Sequence, residues 1–176
     1  MKIIIVILFF FITGCSEAAE KQIASSDKLM CEFGFKDNVH CAYQNMQVNV
    51  IKIPIAFDEA RISQLNVNYF DNFYVLNVSK DTTIINGDKG YILFDDINFD
   101  GIPDIAITTS FGLANLYMDY WVFDKNNNKF KYVGNFPKFT IDPTNKKLIN
   151  EVRVSASIYK KNVYSWKNYT LKKMPQ

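Results

Sequence analysis

Histidine is almost missing from this chain of 176 residues: His40 is the sole one. Imidazole is the side chain that most readily moves protons near neutral pH, and His40 stands between Cys41 and Val39, where a strand residue is the simpler reading. No Gly-x-Ser-x-Gly turn and no phosphate-cradling glycine loop occurs, and glycine itself numbers seven. Neither charge prevails, with 20 Lys and Arg against 18 Asp and Glu, so no basic face for nucleic acid follows. No apolar run reaches the roughly 20 residues that span a bilayer as a helix. What remains for catalysis is a carboxylate pair, Asp95 or Asp119 with Asp124, used as in a glycosidase. Spacing does not bring these acids together, and the expectation is that the chain is not an enzyme.

Cysteine is scarce and odd, at three. The chain opens "MKIIIVILFFFITGC", one positive residue, then about ten apolar residues from Ile3 to Ile12, then small residues and Cys15, the order of a secretory signal. Residues Ile12-Thr13-Gly14-Cys15 resemble the bacterial lipobox, which implies cleavage after residue 14 and lipidation of Cys15. Acyl chains hold a protein on a membrane because each buried CH₂ contributes about 0.8 kcal/mol. Ser16 is not the aspartate that retains enterobacterial lipoproteins at the inner membrane, so the resemblance implies the periplasmic side of the outer membrane. Cutting the leader removes Lys2 and lowers the net charge of +2 by one. With Cys15 lipidated, Cys31 and Cys41 remain as a pair in an oxidising compartment, and a disulfide is expected. A zinc pair with His40 as third ligand lacks the further ligands a structural site needs.

Residues 15–28 read as the lipidated cysteine and a small, polar tether. From Leu29 onward, residues 29–176 read as a single β-rich domain. Short β-branched and aromatic runs such as "NFYVLNV", "TTII", "GYILF", "DIAITT", "YMDYWVF", "KFKYVG" and "EVRVSAS" have the length of strands. Asn86-Gly87, "DKNNNK", "YKKNVY" and "WKNYT" read as the hairpin turns between them. The fold class that follows is all-β, an antiparallel meander. "YILF", apolar throughout, should be central. Only "FDEARISQL", Phe57 to Leu65, offers a helical turn, with Asp58 as its cap. Two glycosylation sequons, at Asn77 and Asn168, read as accidental.

The most informative stretch is "FDDINFDGIPDIAI". Taking Asp96 as position one, Asn98 and Asp100 fall at three and five, Gly101 at six, the Ile102 carbonyl at seven and Asp104 at nine. That is the order in which a chain turning around a calcium ion presents oxygen. Glycine at six permits the positive φ such a turn needs, and three close carboxylates repel one another unless a cation neutralises them. Ile107 stands where an EF-hand would place its glutamate, and strands rather than helices flank the loop, so it resembles the calcium loops of propeller-type repeats. Ca²⁺ is the expected cofactor. The alternative is a plain hairpin with an acidic tip.

From Tyr91 to Trp166 the order is carboxylate loop, a glycine-asparagine-tyrosine loop, an aromatic strand with Trp121, the turn "DKNNNK", "KFKYV" and a final Tyr-x-Trp strand. This order resembles a family of periplasmic lipoproteins with a propeller-like β fold, immunity proteins that block peptidoglycan hydrolases delivered by rival bacteria. The resemblance implies a membrane-anchored inhibitor of a lysozyme-like effector that works by inserting a loop into the enzyme's cleft. The family's contact loop reads Gly-x-x-Asn-x-x-Tyr. Here Gly112 and Asn115 match, Met118 stands in the tyrosine's place, and Tyr117 comes one residue early. The implied contacts are Phe111, Asn115 and Tyr117 in "SFGLANLY". The competing class is a calcium-stabilised envelope binding or structural module with no toxin partner. The chain is short for a propeller of four blades of about 40 residues, so a reduced version is expected.

Overall fold

Alternation of apolar and polar residues, the period-2 signal of a half-buried strand, is carried furthest by "MQVNVIKIPIA". In the computed structural model, which describes residues 30–111, 115–167 and 170–175, that stretch is one arm of the longest hairpin. Strand β1 (Met30–Gly34) comes first. A meander of β2 (His40–Tyr43), β3 (Met46–Ala56), β4 (Glu59–Tyr69) and β5 (Asn72–Asn77) follows, with β6 (Thr83–Ile85) added beside β4. A second meander is β7 (Lys89–Asp95), β8 (Asp104–Thr108), β9 (Tyr117–Asp124) and β10 (Lys129–Pro137). A third is β11 (Thr140–Asp142), β12 (Lys147–Arg153), β13 (Tyr159–Lys167) and β14 (Thr170–Lys173). Every pairing is antiparallel, and the expected all-β meander is present as three sheets in succession. Among the described residues there is no helix, and so none long and apolar enough to cross a membrane.

Several local expectations are corrected. Phe57 and Asp58 form the tight turn between β3 and β4, and Glu59–Leu65 run on as strand rather than helix. The reason is register: Ala60, Ile62, Leu65 and Val67 face the core, with Ser63 and Gln64 successive at an irregularity that mimics helical spacing. "YKKNVY" lies inside β13 and "EVRVSAS" leaves the strand after Arg153. Asn86-Gly87 is a turn, with Gly87 at φ +100°, yet it is not a hairpin: β6 pairs with β4, while β7 pairs with β1 and β8. "DKNNNK" does join paired strands, β9 and β10. "YILF" sits in an interior strand, but the most enclosed is its neighbour β8, buried at all five positions. The lipobox, Cys15 and the tether lie outside the described residues.

The interior has two parts. One gathers Phe33, Met46, Val48, Ile62, Leu65, Val67, Ile92, Phe94, Ile107, Trp121 and Phe123 between the first and second sheets. The other gathers Ile97, Ala106, Met118, Tyr120, Phe139 and Leu148 between the second and third. The second sheet therefore buries both faces, which is why β8 and β9 read as continuous apolar runs. β1 closes this sheet at the β7 edge, Cys31 opposite Ile92 and Phe33 opposite Gly90. A Cβ at Gly90 would fall 2.8 Å from Phe33 Cε2 and 2.9 Å from Phe111 Cε1, so two rings occupy the space that any side chain would need.

Cys31 and Cys41 are bridged, their Cα atoms 6.1 Å apart. The bond ties β1 of the second sheet to β2 of the first and excludes the zinc arrangement, since neither sulfur is a free thiolate. His40 is exposed on β2, its Nδ1 2.9 Å from Asn49 Oδ1. A closed loop of this length constrains the unfolded chain by about 2 to 3 kcal/mol. Urea unfolding of the protein with and without reductant should show a loss of that size with a somewhat larger m-value, because the freed unfolded chain exposes more surface, and Cys31→Ala/Cys41→Ala should reproduce it. Equal midpoints in both conditions would mean that the bridge does not hold the two sheets together.

Candidate functional site: the carboxylate loop and its neighbours

The chain between β7 and β8 folds back on its own carboxylates. Asp96 accepts the Asp100 N–H at Oδ1 (3.0 Å) and the Gly101 N–H at Oδ2 (2.8 Å). Asn98 Oδ1 also accepts the Asp100 N–H (3.0 Å), and Asp100 Oδ1 accepts that of Ile102 (2.9 Å). Gly101 takes φ +83° and Phe99 φ +63°, left-handed values that set the sharp turn. Side chains at positions one, three and five thus point into the turn, as the spacing predicts. Asp95, outside that spacing, is exposed and accepts the Asp96 N–H (3.1 Å).

Asp104 behaves differently. It is 1% exposed, and its two oxygens accept the N–H groups of Ile97 (3.0 Å) and, across the sheet on β9, Phe123 (2.9 Å). Burial pushes its carboxyl well above the usual range. The two amides pull it down, and the charges of Asp100 and Asp96 push it up further. The loop is also held from the third sheet, where Trp166 Nε1 donates to the Ile97 carbonyl (2.6 Å). Burial raises the Tyr69 hydroxyl pKa on the first sheet, and the Asp100 charge adds to it. Ile102 packs against the core cluster to which the first sheet contributes, so all three sheets border this loop.

The donor set is wholly oxygen, the type calcium prefers, and each carboxylate oxygen that accepts one amide keeps a further lone pair. Asp96, Asn98, Asp100 and the Ile102 carbonyl would hold such an ion, with Asp104 contributing only what its two amides leave free. Among the described residues, no three His, Cys, Asp or Glu side chains converge as a ready metal cluster. The Asp96 and Asp100 carboxylates are turned toward the loop's own backbone.

Of the acids that sequence suggested for catalysis, Asp119 and Asp124 are separated. Asp119, fully buried on β9, accepts the Ser79 N–H (2.7 Å) and Oγ–H (2.8 Å), the Tyr132 hydroxyl (2.9 Å) and Asn135 Nδ2 (2.8 Å). Four donors hold this carboxyl group in place. Gly134, at φ +142°, sits at the β10 bulge that brings Tyr132 and Asn135 onto one carboxylate. Asp124 is five residues further along the same strand, about 17 Å at the usual rise. There it caps the turn through Asn126 and Asn127, whose hydrogen bonds hold its carboxyl below the ordinary value. Glycosidase acids stand within about 10 Å of each other.

The expected contact residues lie around the β8–β9 connection, of which 112–114, including Gly112, are outside the described residues. Thr109 N–H donates to the Tyr117 carbonyl (2.9 Å) and closes the loop at its base. Phe111 is half-buried, edge-on to Phe33 at 6.5 Å. Asn115 pairs through its amide with the backbone of Arg153 on β12, accepting its N–H (2.8 Å) and donating to its carbonyl (3.1 Å). Tyr117 begins β9 half-buried opposite Pro137, and Met118, where the family pattern has tyrosine, is fully buried. The sequence did not point to the turn after Arg153, which exposes Val154, Ile158 and Tyr159. Only its apolar residues beside "SAS" could have marked it.

Asp104 yields a pH prediction. In the unfolded chain it ionises near pH 3.9, in the fold only at higher pH, so the unfolded state binds fewer protons between those values. Stability from this group is present below the unfolded value and lost as pH rises through the folded one. In chelator, melting should fall with rising pH above about 4, and Asp104→Asn should flatten that slope while lowering the acid-side stability. Parallel slopes in the two proteins would show that Asp104 titrates normally.

No protein-family model, no curated protein and no solved structure matches the chain.

Proposed function

We propose that this chain is a membrane-anchored periplasmic immunity protein that inhibits a peptidoglycan hydrolase, with the loop from Ser110 to Tyr117 entering the enzyme's cleft. The observation that carries the reading is the Asn115 amide clamped on the Arg153 backbone. It joins the loop to a turn with three exposed apolar side chains, Val154, Ile158 and Tyr159. Preorganised loops bearing aromatic anchors bind at low entropic cost. Each of the three consecutive sheets is built on a meander of four strands, as a propeller blade is, with β6 and β1 added to the first two, and this supports a reduced, open propeller of the kind that the resemblance implies.

Asn115 acts here as a positioning residue, and Phe111 supports the loop from beneath. Tyr117 and Tyr159 are the ring anchors. Tyr117→Ala and Tyr159→Ala should each weaken inhibition of the target hydrolase at least tenfold, because an interface anchor contributes about 2 kcal/mol or more. Tyr159, being exposed, should leave melting unchanged. Full inhibition by both variants in a peptidoglycan lysis assay would remove the loop and turn from the contact.

Calcium belongs to the same reading as a structural ion that fixes the loop from Asp96 to Asp104. Binding only the folded state at about 100 times Kd adds roughly 2.7 kcal/mol. Melting should rise when calcium replaces chelator, and Asp100→Ala should abolish the rise. Identical curves for protein first shown to be metal-free would leave the loop as a hairpin held by its own amides.

A further inference from the structure

The outward face of the first sheet carries a pattern that the inhibitor reading does not use. Register puts Ala42, Gln47, Asn68 and Phe73 side by side across β2, β3, β4 and β5. The next row is His40, Asn49, Asn66 and Val75, and the third is Ile51, Gln64 and Asn77. Residues of these rows alternate with the core-facing Met46, Val48, Leu65, Val67 and Leu76, so all lie on the solvent side. Six of the eleven are Asn or Gln and none is Asp, Glu, Lys or Arg, in a chain with 22% charged residues. Four strands at about 4.8 Å spacing make the face roughly 14 Å across.

This face runs into a groove of about 360 Å³ lined by Asn45, Gln47, Asn68, Phe70, Asp71 and Phe73. Phe70 and Phe73 are 64% and 61% exposed, large rings left in water beside amides. The amides are partly oriented, with Gln64 Nε2 donating to Asn66 Oδ1 (2.7 Å).

We propose that this face and groove bind a neutral glycan rich in hydroxyl and acetamido groups. A carboxamide offers both donors and an acceptor on one plane, and so do the hydroxyl pairs and acetamido groups of a sugar. Charged side chains, which an ionic partner would need and which would have to be desolvated against a neutral one, are absent from the rows. The two phenylalanines give the apolar faces of sugar rings a surface to lie on, and Asp71 at the rim supplies one strong acceptor. A protein partner would leave six amides to satisfy across the interface, whereas a wet polyol meets them directly or through water. The inference does not rest on the inhibitor reading.

The test uses the folded protein with three probes, chitohexaose and cellohexaose in calorimetric titration and protease-treated peptidoglycan sacculi in co-sedimentation. Saturable binding of at least one is expected, and the preference between the two hexaoses separates acetamido from hydroxyl recognition. Asn66→Ala/Asn68→Ala and Phe73→Ala should each weaken that binding at least tenfold with melting unchanged. Failure of the folded wild type to bind any of the three would overturn the proposal. Undiminished binding by both variants would do the same. So would capture by untreated sacculi, run beside the protease-treated ones, with none by the treated sacculi, which would give the face to a protein partner.

Discussion

One buried carboxylate organises the middle of this molecule. Asp104 takes the amide of Ile97 on one oxygen and that of Phe123 on the other, and so joins a turn to a strand two places across the sheet. A buried acceptor in this position stabilises only while both donors stay in place, since an amide left alone in the interior costs about 1 to 3 kcal/mol. The turn is therefore held rigidly where it stands. Ile97 is packed into the second core cluster and receives the Trp166 indole on its carbonyl, while Ile102 reaches the first cluster. The three sheets that pack on one another through the two apolar cores are also tied together at this loop.

Asp119 repeats the device between the first two sheets. Its four donors come from the segment after β5, from β9's neighbour β10 and from the bulge at Gly134. All four are neutral N–H or O–H groups. The second sheet, with both faces buried, has little polar surface except at these two acids and at Thr108, whose hydroxyl bonds the Tyr91 backbone. Asp104 thus fixes the loop within the second sheet, and Asp119 ties that sheet to the segment after β5.

The loop around Gly101 was legible because its signal is local: oxygen-bearing residues at odd positions and one glycine. Strands β8 and β9 were legible for the same reason, as runs of apolar residues. In the β3–β4 hairpin the alternation is plain along β3, but a bulge at Ser63-Gln64 shifts its phase in β4 and gives Phe57 to Leu65 a helical spacing. "NVYSW" reads as a strand and lies in β13, whereas the start of that strand resembles a turn because "YKKN" is polar, its lysines being exposed there. Nothing local marks Asp119 or Asn115 as ties, since Asp119's partners lie from 13 to 40 residues away and Asn115's lies 38 away in sequence. Nor does the sequence order reveal that β1 belongs with β7.

That last pairing has a consequence for the order of events as the chain emerges. β1 is the first strand made, but its neighbour β7 appears more than fifty residues later, after the whole first meander. The first sheet can form from local hairpins, while the second must wait to recover a strand synthesised long before, at the cost of closing a long loop. A sulfur link from β1 to β2 changes the geometry of that wait. Once it forms, the early strand is leashed to a sheet already folded, and β7 finds its partner held beside it instead of searching for a free end.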